Sequence, residues 1–129
     1  MYPEEFLYTQ DHEWVRVDGN IASIGITDHA QKELGDIVFV ELPPAGAHVT
    51  AKESLGTVES VKAVADIYAP VTGEVLSVNP KIQNAPELVN SDPHGEGWLV
   101  QVQLKDRKET EKLMTAEEYE AYLAGGKSS

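Results

Sequence analysis

Trp14-Val15-Arg16-Val17-Asp18-Gly19-Asn20-Ile21-Ala22-Ser23-Ile24-Gly25-Ile26 sets two β-rich runs on either side of Asp18-Gly19-Asn20. Asp-Gly between such runs favours a tight hairpin, because glycine tolerates the positive φ these turns demand. Similar runs recur along the chain. They span Ile37 to Leu42, closed by Pro43-Pro44, then Leu55 to Glu59, Val64 to Tyr68, and Glu74 to Val78 after the turn residues Pro70-Val71-Thr72-Gly73. Trp98 to Leu104 alternates after Leu99, which implies one buried and one wet face. Val and Ile supply 20 of the 129 residues, and many short strands of this kind predict an all-β body.

Helices interrupt and end this pattern. Thr27-Asp28-His29-Ala30-Gln31-Lys32-Glu33-Leu34-Gly35 offers a cap, one or two turns and a terminating glycine. Asn79 to Gly97, rich in Pro, Asn and Asp, predicts an irregular surface excursion. Beyond Leu104, Asp106 with Glu109 and Thr115 with Glu118 have capping-box spacing. Tyr119, Tyr122 and Leu123 share one helical face, and Gly125-Gly126 ends the helix. The expected organisation is one domain over 1–129, with a β body at about 8–104 and a helical segment at about 105–124. A faint internal repeat relates Asp36-Ile37 to Asp66-Ile67 and Pro43–Gly46 to Pro70–Gly73. It would describe two similar half-sheets about a pseudo-two-fold, with Lys62 between them.

The net charge of −12 argues against nucleic acid and anionic membranes as partners, since both would be repelled. Residues 105–129 hold five basic and six acidic side chains, so they contribute only −1 of it and the acidity belongs to the β body. Zero Cys excludes a disulfide framework, a thiolate nucleophile and Cys-ligated zinc. No run approaches a membrane-spanning length, and Met1-Tyr2-Pro3-Glu4-Glu5 lacks the features of a signal or transit peptide. These readings favour the cytoplasm, with a mature mitochondrial-matrix form as the alternative. A monomer is expected.

Lys62, in Glu59-Ser60-Val61-Lys62-Ala63-Val64-Ala65-Asp66, is the only cation between Lys52 and Lys81 and falls where a hairpin tip is expected. Catalytic use of its free amine would require a lowered pKa, whereas Glu59 and Asp66 nearby favour the ammonium. A solvated surface lysine is the plain reading. The functional one is a presented amine that another enzyme acylates. The histidines at 12, 29, 48 and 94 show no metal-ligand spacing and suit surface or capping roles. No strained Gly-Xaa-Ser-Xaa-Gly turn supports a triad of Ser54, His48 and Asp66, and no Gly-rich phosphate loop precedes a helix. Asp11-His12-Glu13-Trp14 reads either as a polar strand entry with a core aromatic, or as a carboxylate pair able to hold a cation.

Taken together, several phrases resemble the H-protein family of the glycine cleavage system. They are His12-Glu13-Trp14-Val15, Gly25-Ile26-Thr27-Asp28-His29-Ala30-Gln31, Leu34-Gly35-Asp36-Ile37-Val38-Phe39-Val40-Glu41-Leu42-Pro43, Val58-Glu59-Ser60-Val61-Lys62-Ala63, Gly73-Glu74-Val75, Gly97-Trp98 and Leu113-Met114. The resemblance runs from about Tyr8 to Tyr122 and implies a small sandwich or flattened barrel of the lipoyl and biotinyl carrier type. Short helices follow at the C-terminus.

The resemblance also implies lipoate in amide linkage to Lys62, which would give a cysteine-free chain its dithiolane. A pyridoxal-phosphate glycine decarboxylase would load the aminomethyl group of glycine, and a tetrahydrofolate-dependent aminomethyltransferase would unload it. Lipoamide dehydrogenase would then reoxidise the dithiol. By the same likeness, Glu13 and Asp66 line a cleft for the loaded arm, with Asp11 at a position where some members have Ser. Glu59 and Gly73 match positions read by the lipoate-attaching enzyme. Two alternatives are a relay that donates lipoyl or octanoyl groups to 2-oxoacid dehydrogenase subunits, and an acidic interaction domain that is never lipoylated. In the carrier reading, the acidic body predicts partner encounters that slow with added salt.

Overall fold

The computed structural model describes residues 2–125. Among these residues, nine strands form two antiparallel sheets. The larger contains β1 (Leu7–Tyr8), β2 (Glu13–Asp18), β3 (Ile21–Ile26), β9 (Val100–Leu104), β8 (Gly73–Val78) and β5 (His48–Val49), in that spatial order. The smaller is β4 (Ile37–Glu41), β6 (Ser54–Ser60) and β7 (Val64–Tyr68). The opening hairpin pairs Asp18 with Ile21, and Gly19 takes a φ of 64°, which supplies the turn conformation that Asp-Gly predicted.

The main core lies between the sheets. Val15, Ile24, Val75 and Val102 from the larger meet Ile37, Val40, Val58 and Ile67 from the smaller. In β9, Val100, Val102 and Leu104 are buried while Gln103 is exposed, as alternation required. Both copies of the repeat join the two sheets. Pro43–Gly46 leads from β4 to β5, Pro70–Gly73 leads from β7 into β8, and β5 pairs with β8.

A second, aromatic core forms where residues 6–14 pack against residues 116–119. Phe6 stacks on Trp14 with centroids 4.7 Å apart, and Tyr8 stacks on Tyr119 at 4.8 Å. Trp14 is a core residue, and its indole lies over Gly25, where a Cβ would fall 2.6 Å from the ring. Tyr8 and Met114 exchange backbone hydrogen bonds of 2.8 Å, which tie the C-terminal segment to β1.

α1 (Asp28–Leu34) has Thr27 as its cap and ends at Gly35, whose φ of 81° a side chain would resist. The stretch from Asn79 to Gly97 departs from the expected irregular excursion. It contains α2 (Pro80–Asn84) and α3 (Leu88–Ser91), each with one fully buried residue in the core, Ile82 and Val89. Pro80 follows the Asn79 cap, so residues that signalled a loop instead start a helix.

The Thr115–Glu118 capping box forms at the head of α4 (Ala116–Leu123). Tyr119 is buried on the predicted face and Gly125 follows at positive φ, while Gly126 lies outside the described residues. Asp106 caps a 3-10 segment, Arg107–Lys112, through the Lys108 amide. Glu109 does not close a box. Its carboxylate accepts from the Thr72 amide at 2.7 Å and the Thr72 hydroxyl at 2.9 Å, because a distant loop offers two donors at once.

Candidate functional site

Lys62 sits in the three-residue turn, Val61-Lys62-Ala63, between β6 and β7. The Ser60 amide donates to the Ala63 carbonyl at 2.8 Å. The return bond is made by a side chain: the Ser60 hydroxyl accepts from the amides of Ala63 at 3.1 Å and Lys62 at 3.3 Å. Such side-chain closure mimics a backbone turn. A third tie runs from the Val61 amide to the Asp36 carbonyl at 3.0 Å, anchoring the turn to the segment after α1. The Lys62 stem lies over Gly35, where a Cβ would be 3.5 Å from Lys62 Cε.

The backbone around Lys62 is therefore fixed while its side chain is exposed. Among the described residues no carboxylate lies within 4.0 Å of its ammonium. Glu59 and Asp66, expected as its electrostatic neighbours, stand on the strands instead, opposite Val64 and Thr57 respectively. Converting this amine to a neutral amide would break no ion pair.

A cleft of about 640 Å³ opens beside the far end of β7, lined by Asp11, Glu13, Tyr68, Lys52 and Lys112 among others. At about 3.3 Å per residue, Tyr68 lies roughly 13 Å along the strand from Val64. Glu13 is 2% exposed. Its Oε1 accepts from the Thr9 hydroxyl at 2.6 Å and its Oε2 from the Tyr68 amide at 3.1 Å. Burial pushes this carboxyl up to about 7 despite those two bonds, and the nearby Asp11 adds to the rise. A buried carboxylate held near its midpoint at the wall of a cleft can take on a cationic partner by losing a proton.

The structure brings Asp11 and Glu13 together in this cleft but not Asp66, which lies two residues before Tyr68 with the Ser54 hydroxyl 3.4 Å from its carboxylate. Gly73 is buried in β8 of the other sheet, where a Cβ would sit 2.0 Å from the Gln103 carbonyl oxygen. Packing by itself accounts for glycine there. Thr9 and Ser60 escaped the sequence reading, as did the second role of Gly35, which seats the Lys62 stem besides ending α1. A serine two places before a turn residue was the signal that could have found Ser60.

Two histidines meet the N-terminal end of α1. His94 Nε2 accepts from the Asp28 amide at 3.1 Å, and His12, at a φ of 71°, places Nδ1 2.8 Å from the Tyr119 hydroxyl. Burial lowers the pKa of both. His94 caps α1, as expected, whereas His12 is half-buried against Tyr119 and takes neither the surface nor the capping role expected of it.

Comparison with known proteins gives these features a family. A model described as glycine cleavage H-protein matches residues 6–125. A glycine cleavage system H protein of Brevibacillus brevis is 56% identical over 122 residues, covering 95% of this chain and 97% of that protein. One from Halothermothrix orenii is 54% identical over 121 residues, or 94% of each. The crystal structure of a glycine cleavage system H protein from Mycobacterium marinum superimposes with a TM-score of 0.87 at 41% identity, covering 96% of this chain and 99% of that one. The chain belongs to the glycine cleavage H-protein family, the lipoyl carriers of the glycine cleavage system, which are not themselves catalytic.

Proposed function

We propose that Lys62 is the lipoyl attachment point and that the arm it carries shuttles between partner sites and the Glu13 cleft. The observation that carries this reading is the turn itself. Ser60 and Asp36 hold the backbone, and Gly35 leaves room for the stem, beneath an exposed ammonium that makes no ion pair among the described residues. For attachment, the ammonium gives up a proton, the nitrogen attacks the carboxyl carbon of an activated lipoyl group, the activating group leaves, and the nitrogen sheds a second proton to become a neutral amide. The charge falls from −12 by one unit.

Once attached, lipoate supplies the dithiolane that accepts an aminomethyl group and later yields two electrons. The chain supplies reach, shelter and charge. An arm directed along β7 passes Asp66 before it reaches Glu13 and Asp11. There a protonated amine would pair with ionised Glu13, and the surrounding wall would limit its contact with water. Glycine decarboxylase loads the arm, the tetrahydrofolate-dependent aminomethyltransferase unloads it, and lipoamide dehydrogenase restores the disulfide. A protein of this kind accelerates nothing itself; it raises the local concentration of the intermediate at each site. The cytoplasm is the proposed location. Among the described residues no helix is long and apolar enough to cross a membrane, and the relatives named above are bacterial.

Isotope exchange between CO2 and the glycine carboxyl, catalysed by glycine decarboxylase with this protein present, tests the reading. The lipoylated protein is expected to support exchange, and Lys62→Arg to abolish it. Lipoylated wild type that leaves exchange at background would overturn the shuttle in favour of a lipoyl relay.

A further inference from the structure

The outer face of the three-stranded sheet has an unusual composition for a solvated surface. Strand register defines two rows on it. In the row next to the Lys62 turn, Phe39 of β4, Glu59 of β6 and Val64 of β7 stand side by side; in the next row are Glu41, Thr57 and Asp66. Phe39 is 52% exposed and Val64 67%. A register shift between Ile37 and Phe39 breaks the alternation of β4, so Val38 is exposed as well, at 47%, and Val61 in the turn is 69% exposed. Regular pleating would have turned either Val38 or Phe39 inward. Of the seven large hydrophobic side chains exposed among the described residues, these four lie in the Lys62 turn or in the strand positions next to it. Apart from Lys62, the three strands and the turn hold no basic residue, while Glu41, Glu59 and Asp66 all face outward.

We propose that Val38, Phe39, Val61 and Val64 form a docking collar for the enzyme that acylates Lys62, and that this enzyme meets it with an apolar patch rimmed by basic side chains. The inference rests on Lys62 being the attachment point. Reach selects this occupant over the enzymes that use the finished arm. Before attachment, the reacting nitrogen is only a lysine side chain's length from the turn, and its stem lies on Gly35. An active site that surrounds that nitrogen must touch the side chains beside it. Enzymes acting on the distal dithiolane work a full arm's length further out. Charge gives the complement: a guanidinium set between two apolar contacts fits the Phe39–Glu59–Val64 row. Recognition of Glu59 is what the family resemblance already implies; the apolar collar around it is the added element.

The test measures the initial rate of lipoate attachment by a lipoate–protein ligase, followed by intact mass, for wild type, Phe39→Ser, Val64→Ser and the double variant. Leu76→Ser, on the larger sheet and also exposed, is the control. Thermal melts by circular dichroism confirm folding, and solvent-facing substitutions should leave the melting midpoint near that of wild type. The double variant is expected to lower kcat/KM for attachment at least about tenfold, as loss of a hot spot does, mainly through KM, with Leu76→Ser near wild type. Each protein is then driven to full lipoylation with excess ligase and assayed in CO2–glycine exchange, where the double variant's deficit should be at least about tenfold smaller than its deficit in attachment. Attachment rates equal to wild type would overturn the collar, and so would equal losses in attachment and exchange. Wild type that takes up no lipoate would instead remove the carrier reading on which the collar rests.

Discussion

The aromatic end of the molecule and the sheet around Lys62 handle apolar side chains in opposite ways. At the first, Phe6, Tyr8, Trp14 and Tyr119 are buried against one another, and their polar atoms are bonded. Trp14 Nε1 donates to the Pro93 carbonyl at 2.8 Å, and the Tyr119 hydroxyl lies 2.8 Å from both His12 Nδ1 and Thr27 Oγ1. At the second, Phe39, Val61 and Val64 are left in water around a lysine whose backbone is bonded and whose stem rests only on Gly35. One region draws its order from side-chain packing, the other from a few turn hydrogen bonds. The comparison teaches that stability and function occupy different ends of this fold. Substitutions at the aromatic end should unfold the chain, and those at the turn should silence it.

The largest expected effect tests the aromatic side. Trp14→Ala removes the stacking partner of Phe6 and leaves a cavity above Gly25. Urea unfolding should register a loss of about 3–5 kcal/mol. A loss under about 1 kcal/mol would mean that this cluster does not hold α4 to the first strands.

Glu13, between the two regions, comes next. Its carboxyl is raised from 4.5 to about 7, so between those values the folded state holds more protons than the unfolded one. The Glu13 contribution is therefore most favourable below about pH 4.5, and it is lost as pH rises toward 7, by roughly 3 kcal/mol in all. His12 and His94, with lowered pKa values, act in the opposite sense, weakening the fold as pH falls through the ordinary histidine range. The difference between variant and wild type isolates the carboxyl. Glu13→Gln should gain stability relative to wild type on going from pH 5 to pH 8. A flat difference across that range would show that Glu13 is not held near neutrality.

Ser60→Ala is the smallest of the three. It removes the acceptor for the Lys62 and Ala63 amides, which should cost about 1–2 kcal/mol while slowing lipoate attachment disproportionately. Unchanged attachment kinetics would show that a fixed turn is not what presents the lysine.

Sequence legibility followed the distance between partners. The Asp18-Gly19-Asn20 hairpin, the Thr27 and Gly35 caps and the Thr115–Glu118 box were readable because each signal and its partner lie within a few residues. Glu109 was misread because its donors on Thr72 are 37 positions away. α2 and α3, five and four residues long with one buried anchor each, are too short to show periodicity. The two-residue strands β1 and β5 are too short to show alternation. Lys62 was legible as an isolated cation at a hairpin tip, and the family resemblance gave that position its chemistry. The support beneath it comes from Ser60 and from Gly35 across the fold, and only the Ser60 half left a trace in local sequence.

The central claim is that Lys62 carries the prosthetic group, and the most direct test is the intact mass and peptide map of the protein purified from cells that make lipoate, beside Lys62→Arg. The account predicts one lipoyl group, located to the peptide containing Lys62 and absent from the variant at unchanged thermal stability. An unmodified wild type, or a lipoyl group that persists in Lys62→Arg, would contradict it.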